Sequence, residues 1–256
     1  MTNSAAALEA THRIEIDKWD AVAATLVEDA RRPLPYADLR EYARWTPGLR
    51  GAADALGDLR GRRLLEFGCC TGKLTTMLAL AGADVCAFDL SPRSVELTRM
   101  RLQAHGVTGD VRVVAGEALP YDDAAFDIVI GESVLHHIEP TAGSAELARV
   151  ARPGALGVFA EPLGMNPVLR FARAHLPYRG KAPRGADIPL TYDDIALWGS
   201  GFREVRIQEV QLLSMLERCF GYDRQVPLLR RADDVLLARS ALARRMCRYA
   251  AITLVR

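Results

Sequence analysis

Long apolar runs are missing from this sequence. No stretch of about 18 or more hydrophobic residues occurs, so a membrane-spanning helix is not expected. The opening MTNSAAALEATHRIEIDKWD carries acids early and lacks a basic region followed by an apolar block, which argues against a secretory signal. Cysteine is scarce: five residues with no framework spacing point to reduced thiols and a cytoplasmic setting. A bridge between the neighbours Cys69 and Cys70 would be strained. The cysteines and histidines lack the short paired spacings of zinc sites, and no carboxylate pair resembles a catechol-type magnesium site, so no metal is expected. A charge excess is missing too. The net charge of +1 does not favour a nucleic-acid partner. The basic end of RRADDVLLARSALARRMCR reads as a solvated helical face.

What is present is a change of rhythm. Residues 5–31 and 37–59 follow helical spacing, and "RRPLP" separates them. From Arg63 onward short apolar runs alternate with helices: "RLLEF", "DVCAFD", "VRVVAG", "FDIVIGES" and "ALGVFAEP" read as five strands. Strands rich in Val, Ile and Leu between helices predict a parallel sheet covered on both faces, with the ligand crevice beyond the carboxyl ends of the strands. "FREVRIQEVQLL" and "YAAITLVR" supply a sixth and a seventh strand. The fold expected is α/β, a doubly wound seven-stranded Rossmann-like sheet. Four regions follow: an N-terminal helical lid (1–59), a core (60–161), a cap rich in Pro, Gly and Arg with a following helix (162–201), and C-terminal strands with a helical insertion (202–256). A connection as long as 162–190 is usually functional.

The first strand runs into Gly68-Cys69-Cys70-Thr71-Gly72. A dinucleotide turn needs G-x-G-x-x-G, and Cys70 stands where its second glycine would be. A phosphate-cradling G-x-x-x-x-G-K-[ST] is absent. Acids then follow the strands: Glu66 on the first, Asp89 at the end of the second, Glu117 just after the third. Together they repel a pyrophosphate and suit a ligand with a cationic amino-acid end, a ribose and an amino-bearing purine. S-adenosylmethionine has that anatomy, including a positive sulfonium.

On these motifs the chain resembles the class I S-adenosylmethionine-dependent methyltransferases. "LLEFGCCTG" is similar to the family's first motif, "VCAFDLS" to the second, "VVAGEALPYDDAAFDIVIGESVLHHI" to the third and fourth, and "LARVARPGALGVFAEP" to the fifth. The resemblance implies S-adenosylmethionine as cofactor, held at the first motif by Glu66, Gly68, Cys69, Cys70 and Gly72. It places Asp89 on the ribose with Leu90 against the adenine. It sets Gly116, Glu117 and Ala118 around the purine, and Glu132 and Ser133 beneath the sulfonium. Two positions depart from the family, which commonly has glycine at Cys70 and at Ala155. A cysteine is tolerable in the turn if its backbone angles are ordinary, and both thiols then line the pocket.

Methyl transfer needs a base only when the acceptor must lose a proton of high pKa. The candidates are His136 and His137, which point in different directions on a helical turn; we expect His137 toward the acceptor. Glu161, at the end of the fifth strand, is placed to orient an acceptor hydroxyl or amine. Tyr36, Asn166, Arg173 and Tyr178 are the candidate acceptor contacts, with Trp19, Tyr42 and Trp45 as further aromatic roof. Glu161-Pro162 and Asn166-Pro167 are similar to strings in small-molecule methyltransferases of bacterial secondary metabolism. The expected function is therefore methylation of carbon, oxygen or nitrogen on a small hydrophobic acceptor, an isoprenoid or aromatic among the candidates. The alternatives are a protein or RNA methyltransferase, or a catalytically silent scaffold. The absence of an Asn-Pro-Pro-Tyr-like string after the fourth strand speaks against exocyclic amines of nucleic-acid bases. Self-association through the N-terminal helices is compatible with the sequence but not required by it.

Overall fold

The change of rhythm at Arg63 is where the sheet begins. Before it come four helices, α1 (Thr2–Ala24), α2 (Val27–Ala30), α3 (Leu39–Trp45) and α4 (Ala52–Leu56). Then strands and helices alternate: β1 (Arg63–Phe67), α5 (Lys73–Leu80), β2 (Asp84–Asp89), α6 (Pro92–Ala104), β3 (Asp110–Val113), β4 (Phe126–Glu132), α7 (Pro140–Val150) and β5 (Ala151–Pro162). The remainder holds α8 (Pro167–His175), α9 (Tyr192–Trp198), β6 (Glu204–Val210), α10 (Pro227–Arg239), α11 (Ala241–Arg245) and β7 (Tyr249–Val255). These assignments come from a computed structural model that describes residues 2–46, 48–176, 187–220 and 225–256.

The seven strands form one sheet in the order β3-β2-β1-β4-β5-β7-β6. β1 to β5 are mutually parallel, but β7 runs antiparallel to both β5 and β6, so the sheet is mixed where a parallel one was expected. Apolar patterning does not encode strand direction; the connection does. The chain leaves β6 and re-enters β7 at the same edge, so it needs no crossover. This reversal sets Tyr249, the first residue of β7, beside Pro162, the last of β5, at the carboxyl edge of the parallel strands.

Alternation in the strands builds two cores. Leu64, Ile128, Ile130 and Val158 face Tyr42 from α3, Leu49 from the α3–α4 connection, and Leu74 and Met77 from α5. Leu65, Phe67, Phe126 and Phe159 face the other way, against Leu147, Ile195 and Trp198 from α7 and α9. Each such buried side chain contributes about 1.5–3 kcal/mol, which makes this sheet the rigid frame for the loops at its edge. Among the described residues no helix is long and apolar enough to cross a membrane.

Candidate active site

The carboxyl edge of the sheet opens into a cleft of about 1000 Å³, walled by the loops after β1, β2 and β4, by α1, and by α8. The first wall is the turn after β1. Gly68, Cys70 and Gly72 have φ of 70°, 46° and 72°. Ordinary angles were expected at Cys70; instead the chain keeps the left-handed conformation that glycine would adopt. A side chain there costs about 1–2 kcal/mol. Bonds around the turn offset it. Cys69 N–H donates to Phe88 O (2.9 Å), Cys70 N–H to Asp89 Oδ2 (2.8 Å), and the buried Arg101 Nε to Thr71 O (2.9 Å). Gly72 is required: a Cβ there would lie 2.7 Å from Thr98 Cα. Burial pushes both thiols up, and the neighbouring Asp89 adds to it, so neither is a ready nucleophile.

Carboxylates line the cleft. Glu66 is buried and accepts from Thr75 Oγ1 (2.5 Å). Burial raises it to about 8, with Glu132 and Asp89 adding to the rise against the Thr75 bond. Burial also raises Asp89, against the N–H bonds it accepts from Ser91 and Cys70. Glu132 is raised by burial and accepts from Tyr42 Oη at 3.1 Å. Three acids held above their ordinary range in one cavity are short of positive charge, and a cationic ligand would relieve all three. Gly68, Cys69, Leu90, Gly116 and Ser133 line the same cleft. Gly72 lies at the foot of the turn, outside the cleft lining. Glu117 and Ala118 are outside it as well. Glu117 Oε1 instead accepts from Glu139 N–H (2.9 Å) and faces His12 Nε2 at 3.3 Å, while Ala118 is exposed. Of the two acids selected from the sequence, Glu132 lines the cleft and Glu117 does not.

Both histidines line the cleft, on a 3-10 turn at Leu135–His137, their rings 4.0 Å apart. His136 is held from two sides, Nδ1 at 2.7 Å from Glu161 Oε2 and Nε2 at 3.1 Å from Asp187 Oδ1. Burial lowers its pKa, but the two carboxylates outweigh burial and push it up to about 9. Glu161 is fully buried; its other oxygen accepts the N–H groups of Val134 and Leu135 at 2.8 and 2.9 Å. Both of its oxygens are thus spent on the turn, beneath the cleft wall and not in it. His137 Nδ1 faces Glu15 Oε1 of α1 at 3.4 Å. Burial works to raise Glu15, yet His137, Lys18 and the Trp19 N–H together hold it below the usual range.

The remaining candidates separate. Arg173 lines the cleft. Asn166 caps α8, accepting from Val168 and Leu169 N–H while its amide donates to Met246 O, and it does not line the cleft. Tyr36 packs edge-on to Tyr42 at 5.2 Å, behind the cleft wall. Tyr178 lies outside the described residues. Trp19 and Tyr42 line the cleft; Trp45 lines a second cavity near β6. Glu15, Asp187, Arg248 and Tyr249 also line the cleft, and sequence reading did not select them. A signal existed for the last pair: a seventh strand beginning at Tyr249 reaches the ligand edge once it is drawn antiparallel.

The methyltransferase-domain family matches residues 65–159, the segment from β1 to β5. A ubiquinone biosynthesis O-methyltransferase from Methylocella silvestris is 35% identical over 181 residues, covering 68% of this chain and 70% of that protein. The chain belongs to the class I S-adenosylmethionine-dependent methyltransferases. Its cofactor is S-adenosylmethionine. A second relative with the same description, from Bordetella avium, is 32% identical over 156 residues, covering 60% of this chain and 62% of its own length. Solved structures agree on the fold: the [4+2]-cyclase SpnF superposes with a TM-score of 0.57 at 20% identity, covering 93% of both chains. A geranyl diphosphate methyltransferase superposes with 0.53 at 15%, covering 79% of this methyltransferase and 74% of that chain.

Proposed function

We propose that this methyltransferase methylates a hydroxyl oxygen on a small, largely hydrophobic acceptor, with His137 as the base. Asp89 would hold the ribose, Glu66 and Glu132 would face the cationic part, and the turn from Gly68 to Gly72 would seat the amino-acid end. When bound, the cofactor supplies a methyl carbon already activated by a sulfonium, so holding the partners close and aligned supplies much of the acceleration. The chain's own task is then to orient the acceptor and take its proton. Glu15 Oε1 faces Nδ1 of His137 at 3.4 Å, and Nε2 makes no hydrogen bond among the described residues. That nitrogen is free to accept the hydroxyl proton. Glu161 and Asp187 act through His136: they clamp the 3-10 turn so that His137 keeps its place.

The observation that carries this reading is one cleft lined both by the buried acids and by a histidine that a carboxylate faces at 3.4 Å. The description of the two relatives as O-methyltransferases supports oxygen as the acceptor atom. The Glu161-Pro162 and Asn166-Pro167 strings support secondary metabolism as the setting. To test it, the protein is incubated with methyl-labelled cofactor, a panel of hydroxylated aromatics and a metabolite extract. Label should enter a small ether product, and His137→Ala should lower kcat by about 10²–10⁴. Label found only in protein or RNA would refute the assignment.

A further inference from the structure

Among the described residues the cleft carries five carboxylates and four Lys or Arg cations, and nearly all are accounted for. Glu15 accepts from Trp19, Glu66 from Thr75, Asp89 from two backbone N–H groups, Glu132 from Tyr42, and Asp187 is bonded to His136. Lys18 faces Glu15 and Lys73 faces Asp29, each at 3.7 Å. Arg248 donates to Gln211 at 3.0 Å, and its guanidinium lies over the Tyr249 ring. Arg173 is different. Its Nη1 is buried and has no hydrogen-bond partner among the described residues. A guanidinium offers only donors, and a buried donor left unpaired carries the full cost of its desolvation.

Leu169, Ala172, Arg173 and Leu176 recur at helical spacing and all line the cleft, so the donor sits within an apolar strip. The geometry points to a carboxylate on the acceptor. We propose that the substrate is an organic acid whose apolar body lies along Leu169, Ala172 and Leu176 and whose carboxylate pairs with Arg173. One unpaired guanidinium matches one negative charge, in the bidentate geometry that carboxylates favour. A phosphate dianion would bring a second negative charge, and among the described residues the cleft offers it no second cation without a partner.

This inference rests on the reading of the protein as a small-molecule methyltransferase, and the experiment keeps the two apart. Protein saturated with adenosylhomocysteine is titrated with benzoate, 3,4-dihydroxybenzoate and 4-butylbenzoate, each beside its neutral methyl ester. At least one acid should bind about tenfold or more tighter than its ester, as a charge-assisted pair requires. Arg173→Gln should erase that preference and Arg173→Lys should keep part of it. Adenosylhomocysteine affinity should be unchanged in both variants. The proposal is overturned if no acid is preferred over its ester, or if the preference survives Arg173→Gln. It is equally overturned if Arg173→Gln costs tenfold in adenosylhomocysteine affinity, which would put the cofactor's own carboxylate on the guanidinium. Failure of the unaltered protein to bind adenosylhomocysteine would strike the methyltransferase reading itself, and this proposal with it.

Discussion

Cys70 keeps a glycine conformation without being glycine, and Asp89 makes that tolerable by accepting its N–H. The turn therefore retains the backbone shape of a glycine turn, which favours the proposed cofactor role over a silent scaffold. Cys70→Gly should leave adenosylhomocysteine affinity near that of the parent. Cys70→Val, a β-branched side chain at positive φ, should lower it by tenfold or so. Calorimetric titration reads both. Asp89→Ala removes a carboxylate that lines the cleft and is the partner of the Cys70 N–H, so cofactor affinity should fall by at least about tenfold. At this scale the sequence was legible where a residue follows a strand: Glu66, Asp89 and Glu132 reach the cleft because strand ends must. Glu15 and Asp187 were not legible, since each meets its histidine only through tertiary packing, across 122 and 51 positions of chain.

Among elements, α1 does more than cover the sheet. His12, Glu15, Trp19 and Asp20 fall on one face at helical spacing and reach Glu117, His137, the cleft, and the start of α6 in turn. Asp20 accepts from Ser91 Oγ at 2.5 Å and from Arg93 N–H at 3.2 Å. With His137 as the proposed base, a helix so attached would supply the carboxylate beside it. Glu15→Gln should lower kcat by more than tenfold with little change in KM for cofactor, because His137 loses its charged neighbour. On α8, Asn166→Ala should cost about 1 kcal/mol of stability through the lost N-cap, read by denaturant unfolding. The helices and strands were largely visible as periodicity and caps. The direction of β7 was not, because apolar patterning records which residues are buried and says nothing of which way a strand runs.

For the whole molecule, buried ionisable groups set the pH response. His136 is raised in the folded state to about 9, so the stability it contributes is complete below its unfolded value near 6.5 and is lost as pH rises toward 9. Glu66, raised to about 8, acts in the same direction: folding holds its proton, and that becomes unfavourable once the unfolded carboxyl ionises above about 4.5. Denaturant midpoints should therefore fall between pH 6.5 and 9, and His136→Asn should flatten that slope. Bound cofactor should raise the midpoint at every pH in this range by mass action. The measurement that bears most directly on the account is a pair of calorimetric titrations at neutral pH, one with S-adenosylmethionine and one with NADH. Saturable heat with the cationic sulfur nucleoside and none with the polyanion is the predicted result. Clear binding of NADH with no response to S-adenosylmethionine would contradict it.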